Sequence, residues 1–350
     1  MRAGAAVLIV SLLAMASTAF GAGEALPDPQ RIVLGGSGGW DYLSLDGRRH
    51  HLFISRSDRV QVFDTVTEKV VAEIADTQGV HGIALAQDLS LGFTSNGKSN
   101  SVTVFDLGAL KTIDEIEGVG DGPDAIVYEP KTARVFTFNG RSRSATAIDV
   151  ASRRVVATIS LPGKPEFAVT DGAATLFVNI EDKNLVERID AATGKVTAEW
   201  AMGACERPSG LDIDVVRRRL FSVCANRKMV VLDADSGHLV AEAPIGSGVD
   251  EVVFDPLTSL VLSSNGEGTV TFVRERSPGD YVAVATARTH RGARTIAVDT
   301  AAHRAYLVTS DFDPVSAAAS AAPRPRPAQT PGTFSVFVLD FASIRPRAGR

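Results

Sequence analysis

The chain has 350 residues, of which 45% are apolar and 22% are charged, so it can build a large globular core. Its 36 basic and 41 acidic residues give a formal net charge of −5. This mild acidity argues against nucleic acid as a partner, because nucleic-acid binding requires a basic face. It also argues against adsorption to anionic membranes.

The first predicted element is an export signal over residues 1–21. Arg2 precedes an apolar run from Ala5 to Met15, and Ala19-Phe20-Gly21 fits a small-x-small cleavage pattern. We expect cleavage after Ala19 or Gly21. The apolar run is short for a membrane helix, and no later stretch reaches the necessary length, so we predict no membrane span in the mature chain. The expected location is periplasmic or secreted.

A repeat occupies most of the remaining chain. Its centre is an alternating strand, Val-x-Val-apolar-Asp, followed by a polar turn and another short strand. The first six copies of the aspartate position are spaced 41 to 43 residues apart, and a longer gap precedes the seventh copy. The seven positions are Asp64, Asp106, Asp149, Asp190, Asp233, Arg274 and Asp340. Four short strands in about 42 residues is typical of one propeller blade. The pattern therefore predicts an all-β, seven-bladed β-propeller with four-stranded antiparallel blades over residues 32–341.

The segment Arg31-Ile32-Val33-Leu34 lies before the inner strand of the first blade. We predict that this N-terminal strand supplies the outer strand of the last blade and so closes the ring. The physical reason is that one four-stranded sheet cannot bury both of its faces, whereas seven sheets arranged radially bury each face against a neighbour.

The blade pattern resembles the YVTN-repeat β-propeller family, the YncE-like proteins of bacterial periplasms. The resemblance is carried by Leu-Phe-Val-Asn at residues 176–179 and Ile-Asp-Ala-Ala-Thr-Gly-Lys-Val at residues 189–196, and it covers residues 32–341. Arg274 and the long gap in the last blade depart from the family pattern. The resemblance implies a recognition scaffold. Related propellers also include lactone hydrolases and the large subunits of quinone-dependent dehydrogenases.

The candidate site follows from the same repeat, because the connections that enter the inner strands meet at one end of a propeller channel. The residues at these positions are Trp40, Asp41, His81, Asp124, Glu166, Ser209, Asp250 with Glu251, and Arg294. Adjacent carboxylates raise one another's pKa, and a nearby histidine is a candidate acid or base. The alternative is that charges line any solvated channel mouth, where backbone groups need water and polar partners.

The two cysteines, Cys205 and Cys224, flank one predicted hairpin, and export favours a disulfide between them over two free thiols. Residues 311–332 form an Ala- and Pro-rich insertion in the last blade, which we predict to be disordered. It is either a lid or docking tether, or a tolerated loop without function. Residues 342–350 form a basic tail that we expect to be solvated.

No closely spaced Cys/His cluster and no catalytic motif are present, so the sequence predicts no metal site and names no cofactor. The first hypothesis is therefore a non-catalytic binding or protein-interaction propeller, with a periplasmic protein or a small molecule as its partner. The alternative is an enzyme or enzyme subunit, either lactone hydrolase-like or associated with a quinone-dependent dehydrogenase. In that case the charged residues at the channel mouth would carry the chemistry.

Overall fold

The computed structural model describes residues 26–313 and 328–344, and it arranges these residues in seven four-stranded antiparallel sheets. The predicted signal peptide lies outside the described residues, as do the central part of the insertion, residues 314–327, and the end of the tail, residues 345–350. Within the described ranges, no helix is long and apolar enough to cross a bilayer.

The first strand of the chain is β1 (Gln30–Val33). Blades one to three follow in order, with the strands β2 (Leu43–Asp46), β3 (His51–Arg56), β4 (Arg59–Asp64) and β5 (Lys69–Ile74); β6 (Val80–Ala86), β7 (Leu91–Asn96), β8 (Ser101–Asp106) and β9 (Lys111–Ile116); and β10 (Pro123–Glu129), β11 (Arg134–Asn139), β12 (Ser144–Asp149) and β13 (Arg154–Ser160).

Blades four to seven contain β14 (Pro165–Thr170), β15 (Thr175–Ile180), β16 (Leu185–Asp190) and β17 (Lys195–Ala201); β18 (Pro208–Asp214), β19 (Arg219–Cys224), β20 (Lys228–Asp233) and β21 (Leu239–Pro244); β22 (Val249–Asp255), β23 (Leu260–Asn265), β24 (Thr269–Ser277) and β25 (Asp280–Arg288); and β26 (Ile296–Asp299), β27 (Arg304–Thr309) and β28 (Ser335–Asp340). A short 3-10 helix, Glu181–Lys183, joins β15 to β16.

The first strand of each blade lies innermost and contacts the first strand of the next blade. This chain of contacts runs from β2 through β6, β10, β14, β18, β22 and β26, and it closes between β26 and β2. The prediction of a seven-bladed propeller with four-stranded antiparallel blades is therefore confirmed.

The ring is closed by the N-terminal strand, as predicted. Strand β1 pairs antiparallel with β28 and becomes the outer strand of the seventh blade, in the sheet order β26-β27-β28-β1. Arg31 lies opposite Phe337, and Ile32 lies opposite Val336. The first and last strands of the described chain therefore hold each other in place through backbone hydrogen bonds.

Burial follows strand position within each blade. The second strands are buried on both faces, as in β15, where every residue from Leu176 to Ile180 is buried. The outer strands alternate, as in β9, because one face meets solvent. Between blades three and four, Phe136 and Phe138 pack with Leu176 and Val178 in one apolar layer. Such layers between blades supply the main free energy of folding.

The repeated aspartate is explained by the hairpin between the third and fourth strands. The carboxylate of Asp64 accepts the backbone N–H of Thr67 at 2.6 Å, and Asp190 accepts that of Thr193 at 2.7 Å. An aspartate at this position therefore fixes the turn. Blade six has Arg274 instead, and its hairpin continues as two nine-residue strands, β24 and β25.

Blade five carries a covalent link, because Cys205 and Cys224 form a disulfide with an S–S distance of 2.06 Å. Both cysteines are buried beside Leu211 and Val230. In blade seven the insertion lies in the connection between β27 and β28. Its described ends are joined by a bridge between Phe312 and Gln329.

Candidate functional site

Five of the predicted mouth residues occupy the same structural position in consecutive blades. His81, Asp124, Glu166, Ser209 and Asp250 are each the second residue of an inner strand. In all five strands the pairing register shifts immediately after the first residue. A bulge redirects the local side chains and bends the strand. This repeated irregularity explains why a blade-length spacing in the sequence produces a circle of side chains at one end of the channel.

His81 lies between two aspartates from the neighbouring blades. Its Nδ1 is 2.6 Å from Oδ2 of Asp41 and 3.8 Å from Oδ1 of Asp124. The hydrogen bond to Asp41 raises the pKa of His81 above its usual value, against the opposing effect of burial. Burial raises the pKa of Asp124 to about 6, although the nearby imidazole opposes this shift. The three residues therefore form one electrostatically coupled unit.

Backbone contacts hold this unit in place. The hydroxyl of Ser55 accepts the N–H of Asp41 at 2.9 Å. The hydroxyl of Ser95 accepts the N–H of Gly82 at 2.8 Å and donates to the backbone carbonyl of Asp124. Neighbouring blades are thus tied together directly beneath the side chains that face the channel.

Arg294 neutralises one side of the mouth. Its Nε is 3.1 Å from Oδ2 of Asp250, and one of its terminal nitrogens is 4.0 Å from Oδ1 of Asp41. Burial raises the pKa of Asp250 to about 7, and the guanidinium of Arg294 opposes that shift. The charges of Asp41 and Asp124 raise it further.

A second cationic group was not predicted from the sequence. The ammonium of Lys164 contacts the carboxylate of Glu166 and lies 2.8 Å from Glu181, which in turn pairs with Arg207 at 2.6 Å. Burial and the charge of Asp124 raise the pKa of Glu166. Lys164 lies only two residues before Glu166, so the sequence offered a signal for this pair once Glu166 was placed at the mouth.

Tyr42 is a further residue at the mouth that the sequence did not predict. Its aromatic ring stacks on Phe167 of β14, with centroids 4.4 Å apart, so the side chain reaches from the first blade to the fourth. Its hydroxyl is buried and has no hydrogen-bond partner among the described residues. Burial and the charges of Asp124, Glu166, Asp41 and Asp250 raise its pKa well above the usual value. Tyr42 therefore lies across the channel among these four carboxylates.

Three predicted residues stand apart from this arrangement. Trp40 packs against Phe312 and Phe334, at ring-centroid distances of 6.2 and 5.3 Å, beside the base of the insertion. The hydroxyl of Ser209 donates to the carbonyl of Val223 at 3.5 Å. Glu251 is buried and accepts the N–H of Ile296 at 2.7 Å, which braces blade six against blade seven.

The structure thus brings together Asp41, His81, Asp124, Glu166, Asp250 and Arg294, which we call the mouth cluster. One subset could hold a metal ion: ligand atoms of Asp41, His81 and Asp124 all lie within 4.8 Å of one another. The sequence search for closely spaced ligands could not find this set, because three different blades supply it. The cluster offers carboxylates for a cationic group and an imidazole that can accept a proton.

Comparison with known proteins supports the fold and assigns no family. No protein-family model matches the chain, and no curated protein matches it. Among solved structures, it is similar to a chain of hydrazine synthase from Kuenenia stuttgartiensis, with a TM-score of 0.68 and 19% sequence identity. The match covers 77% of this chain and 92% of that chain. At this identity the likeness shows a shared propeller fold alone.

Proposed function

We propose that this chain is an exported binding protein that takes a ligand with a positively charged group at the mouth of its channel. The observation that carries the proposal is the buried hydroxyl of Tyr42, which has no partner among the described residues and whose pKa is raised by the charges of four mouth carboxylates. A buried polar group without a partner is costly, and a bound ligand can supply the missing hydrogen bond.

The charge balance at the mouth favours a cation. Arg294 pairs with Asp250, and Lys164 pairs with Glu166, so two of the four carboxylates are already matched. Asp41 and Asp124 share only His81 and the more distant Arg294. A positively charged group that enters the mouth would therefore meet excess negative charge in a recess where solvent screens it weakly.

Four further observations support export and a binding role. Residues 1–21 have the sequence of an export signal, and disulfides such as Cys205–Cys224 persist in oxidising compartments. The blade motif resembles that of periplasmic YVTN-repeat propellers, and a seven-bladed fold is what that resemblance implies. No catalytic motif accompanies the fold in the sequence.

The test uses organic cations in the presence of a chelator, so that metal ions are excluded. Ethanolamine, putrescine and arginine are titrated into the mature protein, with acetate and glycerol as matched uncharged or anionic probes. We expect a saturable rise in melting temperature with at least one cation, as mass action requires for a ligand of the folded state. Asp124→Asn should remove that rise, because it neutralises one of the two carboxylates that lack a full cationic partner, whereas Asp121→Asn, at an exposed carboxylate on a nearby loop, should keep it. No saturable response to any cation, or an equal response in Asp124→Asn, refutes the proposal.

The pair formed by His81 and Asp41 favours one second candidate, a hydrolase. A carboxylate that accepts a hydrogen bond from Nδ1 orients the imidazole, so that Nε2 can take a proton from water. The resulting hydroxide would attack a lactone carbonyl, the ring C–O bond would break, and the leaving oxygen would receive the proton. Turnover of a lactone panel that is lost in His81→Ala would replace the binding proposal. No turnover, with or without divalent metal, rejects the hydrolase.

A further inference from the structure

We propose that Asp41, His81 and Asp124 bind one divalent transition-metal ion of the zinc class. This inference deepens the proposed function, because it uses the same channel mouth and names the cation that two of its carboxylates would hold. It concerns three side chains from three different blades, none of which is close to another in the sequence.

The donor set matches the chemistry of such an ion. One imidazole nitrogen and two carboxylate oxygens are ligands that zinc accepts, and three protein ligands leave a coordination position open. Ligand atoms around a tetrahedral zinc ion lie about 3.4 Å apart. The distances from Nδ1 of His81 to the oxygens of Asp41 and Asp124, 2.6 and 3.8 Å, lie on either side of that value. Small side-chain rotations would therefore satisfy all three bonds.

The charges are also suitable. Asp41 and Asp124 together carry two negative charges when ionised, which balance one divalent ion. The carboxylate of Asp124 accepts no hydrogen bond within the part of the chain that the structure describes, although most carboxylates of the mouth cluster do. Its oxygens are thus available to a ligand. Arg294, which lies 4.0 Å from Asp41, makes its shorter contact with Asp250.

An independent observation points to an occupant at this place. The phenolic oxygen of Tyr42 is wholly buried, lacks a partner among the described residues, and interacts with both aspartates of the set. Stacking on Phe167 fixes the aromatic ring, so the hydroxyl cannot turn towards bulk water without breaking that contact. A water molecule bound to the metal ion would supply the hydrogen bond that Tyr42 lacks.

The backbone around the set limits the movement of the ligands. A Cβ atom on Gly97 would lie 2.8 Å from Cδ2 and 2.9 Å from Nε2 of His81, so the imidazole packs directly over this glycine. This contact keeps Nδ1 directed at the two aspartates. Gly97 is therefore a positioning residue, because its lack of a side chain allows the imidazole to occupy its place.

The experiment titrates Zn²⁺ into mature protein that has first been treated with a chelator, by calorimetry and by native mass spectrometry. We expect one zinc ion per chain, and an affinity that falls by at least about tenfold in His81→Ala and in Asp124→Asn. The matched controls are Asp121→Asn and His290→Ala. The second control is informative because His290 also pairs with one carboxylate, that of Asp311, at 2.8 Å. Both controls should bind zinc as the wild type does.

The inference is overturned if the folded wild type retains no zinc, or if the affinity is equal in wild type, His81→Ala and Asp124→Asn. Loss of zinc in His290→Ala alone would place the ion elsewhere and would also overturn it. Melting curves of each variant show whether it is folded, and Asp124→Asn preserves side-chain size if His81→Ala unfolds. Substitution with Co²⁺ gives a second readout, since its visible absorption spectrum reports coordination number.

Failure of this inference can be distinguished from failure of the proposed function. The organic cations are titrated in the presence of a chelator and zinc is titrated without it, so the two kinds of binding are measured independently. Zinc binding without any organic-cation response supports the metal site and refutes the organic ligand. An organic-cation response without zinc binding supports the organic ligand and refutes the metal site.

Discussion

The ring of Tyr42 stacks on the ring of Phe167 at a centroid distance of 4.4 Å, with an angle of 28° between the planes. Tyr42 immediately precedes the inner strand of the first blade, and Phe167 lies in the inner strand of the fourth. The contact therefore crosses the central channel, whereas the apolar layers of the blades join neighbours in the ring.

Removal of this contact should destabilise the whole propeller. We expect Tyr42→Ala to lower the free energy of unfolding by about 3 kcal/mol, because the substitution deletes a large packed side chain and leaves a cavity. Tyr42→Phe keeps the stack and removes only the hydroxyl without a partner, so its effect on stability should stay within about 1 kcal/mol. Chemical denaturation measures both. If Tyr42→Ala proves as stable as wild type, the side chain does not cross the channel as described.

The glycine under His81 gives a second prediction, on metal affinity. Gly97→Ala should displace the imidazole and weaken zinc binding by at least about tenfold, because the new Cβ would lie too close to two ring atoms. Gly140 holds the corresponding position after Asn139 in blade three, and a Cβ there would meet its nearest atom, from Lys164, at 3.6 Å. Gly140→Ala should therefore leave zinc affinity unchanged in the same titration. Equal effects from the two substitutions would contradict the role of Gly97.

A buried carboxyl in blade four should make stability depend on pH. Glu187 is 1% exposed and pairs across the sheet with Glu199. Burial and the charge of Glu199 raise the pKa of Glu187 to about 7. The folded state holds this proton more tightly than the unfolded state. The contribution of the proton to the free energy of unfolding is therefore full below about pH 4.5 and is lost as the pH rises through about 7.

Glu187→Gln should therefore stabilise the protein at pH 8, by about 2 kcal/mol, and the difference should disappear at pH 5. Denaturant titrations at the two pH values measure this change. The exposed Glu206→Gln serves as the control and should show no such trend. A stability difference for Glu187→Gln that is the same at both pH values would contradict the assignment.

The disulfide in blade five leads to a prediction on redox sensitivity. Cys205 and Cys224 are separated by 19 residues, and a crosslink over such a loop stabilises a fold by about 3 kcal/mol. We expect reductant to lower the denaturation midpoint of the wild type. The double variant Cys205→Ala/Cys224→Ala should start at the lower value and should not respond to reductant. A wild type that is insensitive to reductant while its thiols become accessible would show that the bond adds no stability.

Much of the fold could be predicted from the sequence because the same physical requirement recurs in each blade. Asp64 and its counterparts recur because each fixes a hairpin by accepting backbone N–H groups, so their spacing reports blade length. The circle of mouth residues was predictable for a related reason, since five of them are the second residue of an inner strand and lie at the same register shift.

The composition of the site was harder to predict. Trp40 and Ser209 fit the spacing, yet one packs beside the insertion and the other bonds within its own blade. The repeat determines the backbone position of a residue within its blade, whereas the contacts of its side chain depend on neighbouring residues that do not follow the repeat. Tyr42 was missed because its partner Phe167 belongs to a distant blade, and no local pattern in the chain marks a contact across the channel.

The pairing of β1 with β28 also determines the order in which the molecule can be completed during synthesis. The strand that leaves the ribosome first is the one that needs the last strand as its partner. Until β28, which ends at Asp340, has been made, β27 and β1 each have an unpaired edge and the ring of blades stays open. Removal of β1 would leave the outer edge of β28 unpaired, and removal of β28 would leave β1 and one edge of β27 unpaired. Closure of the propeller therefore requires both ends of the described chain.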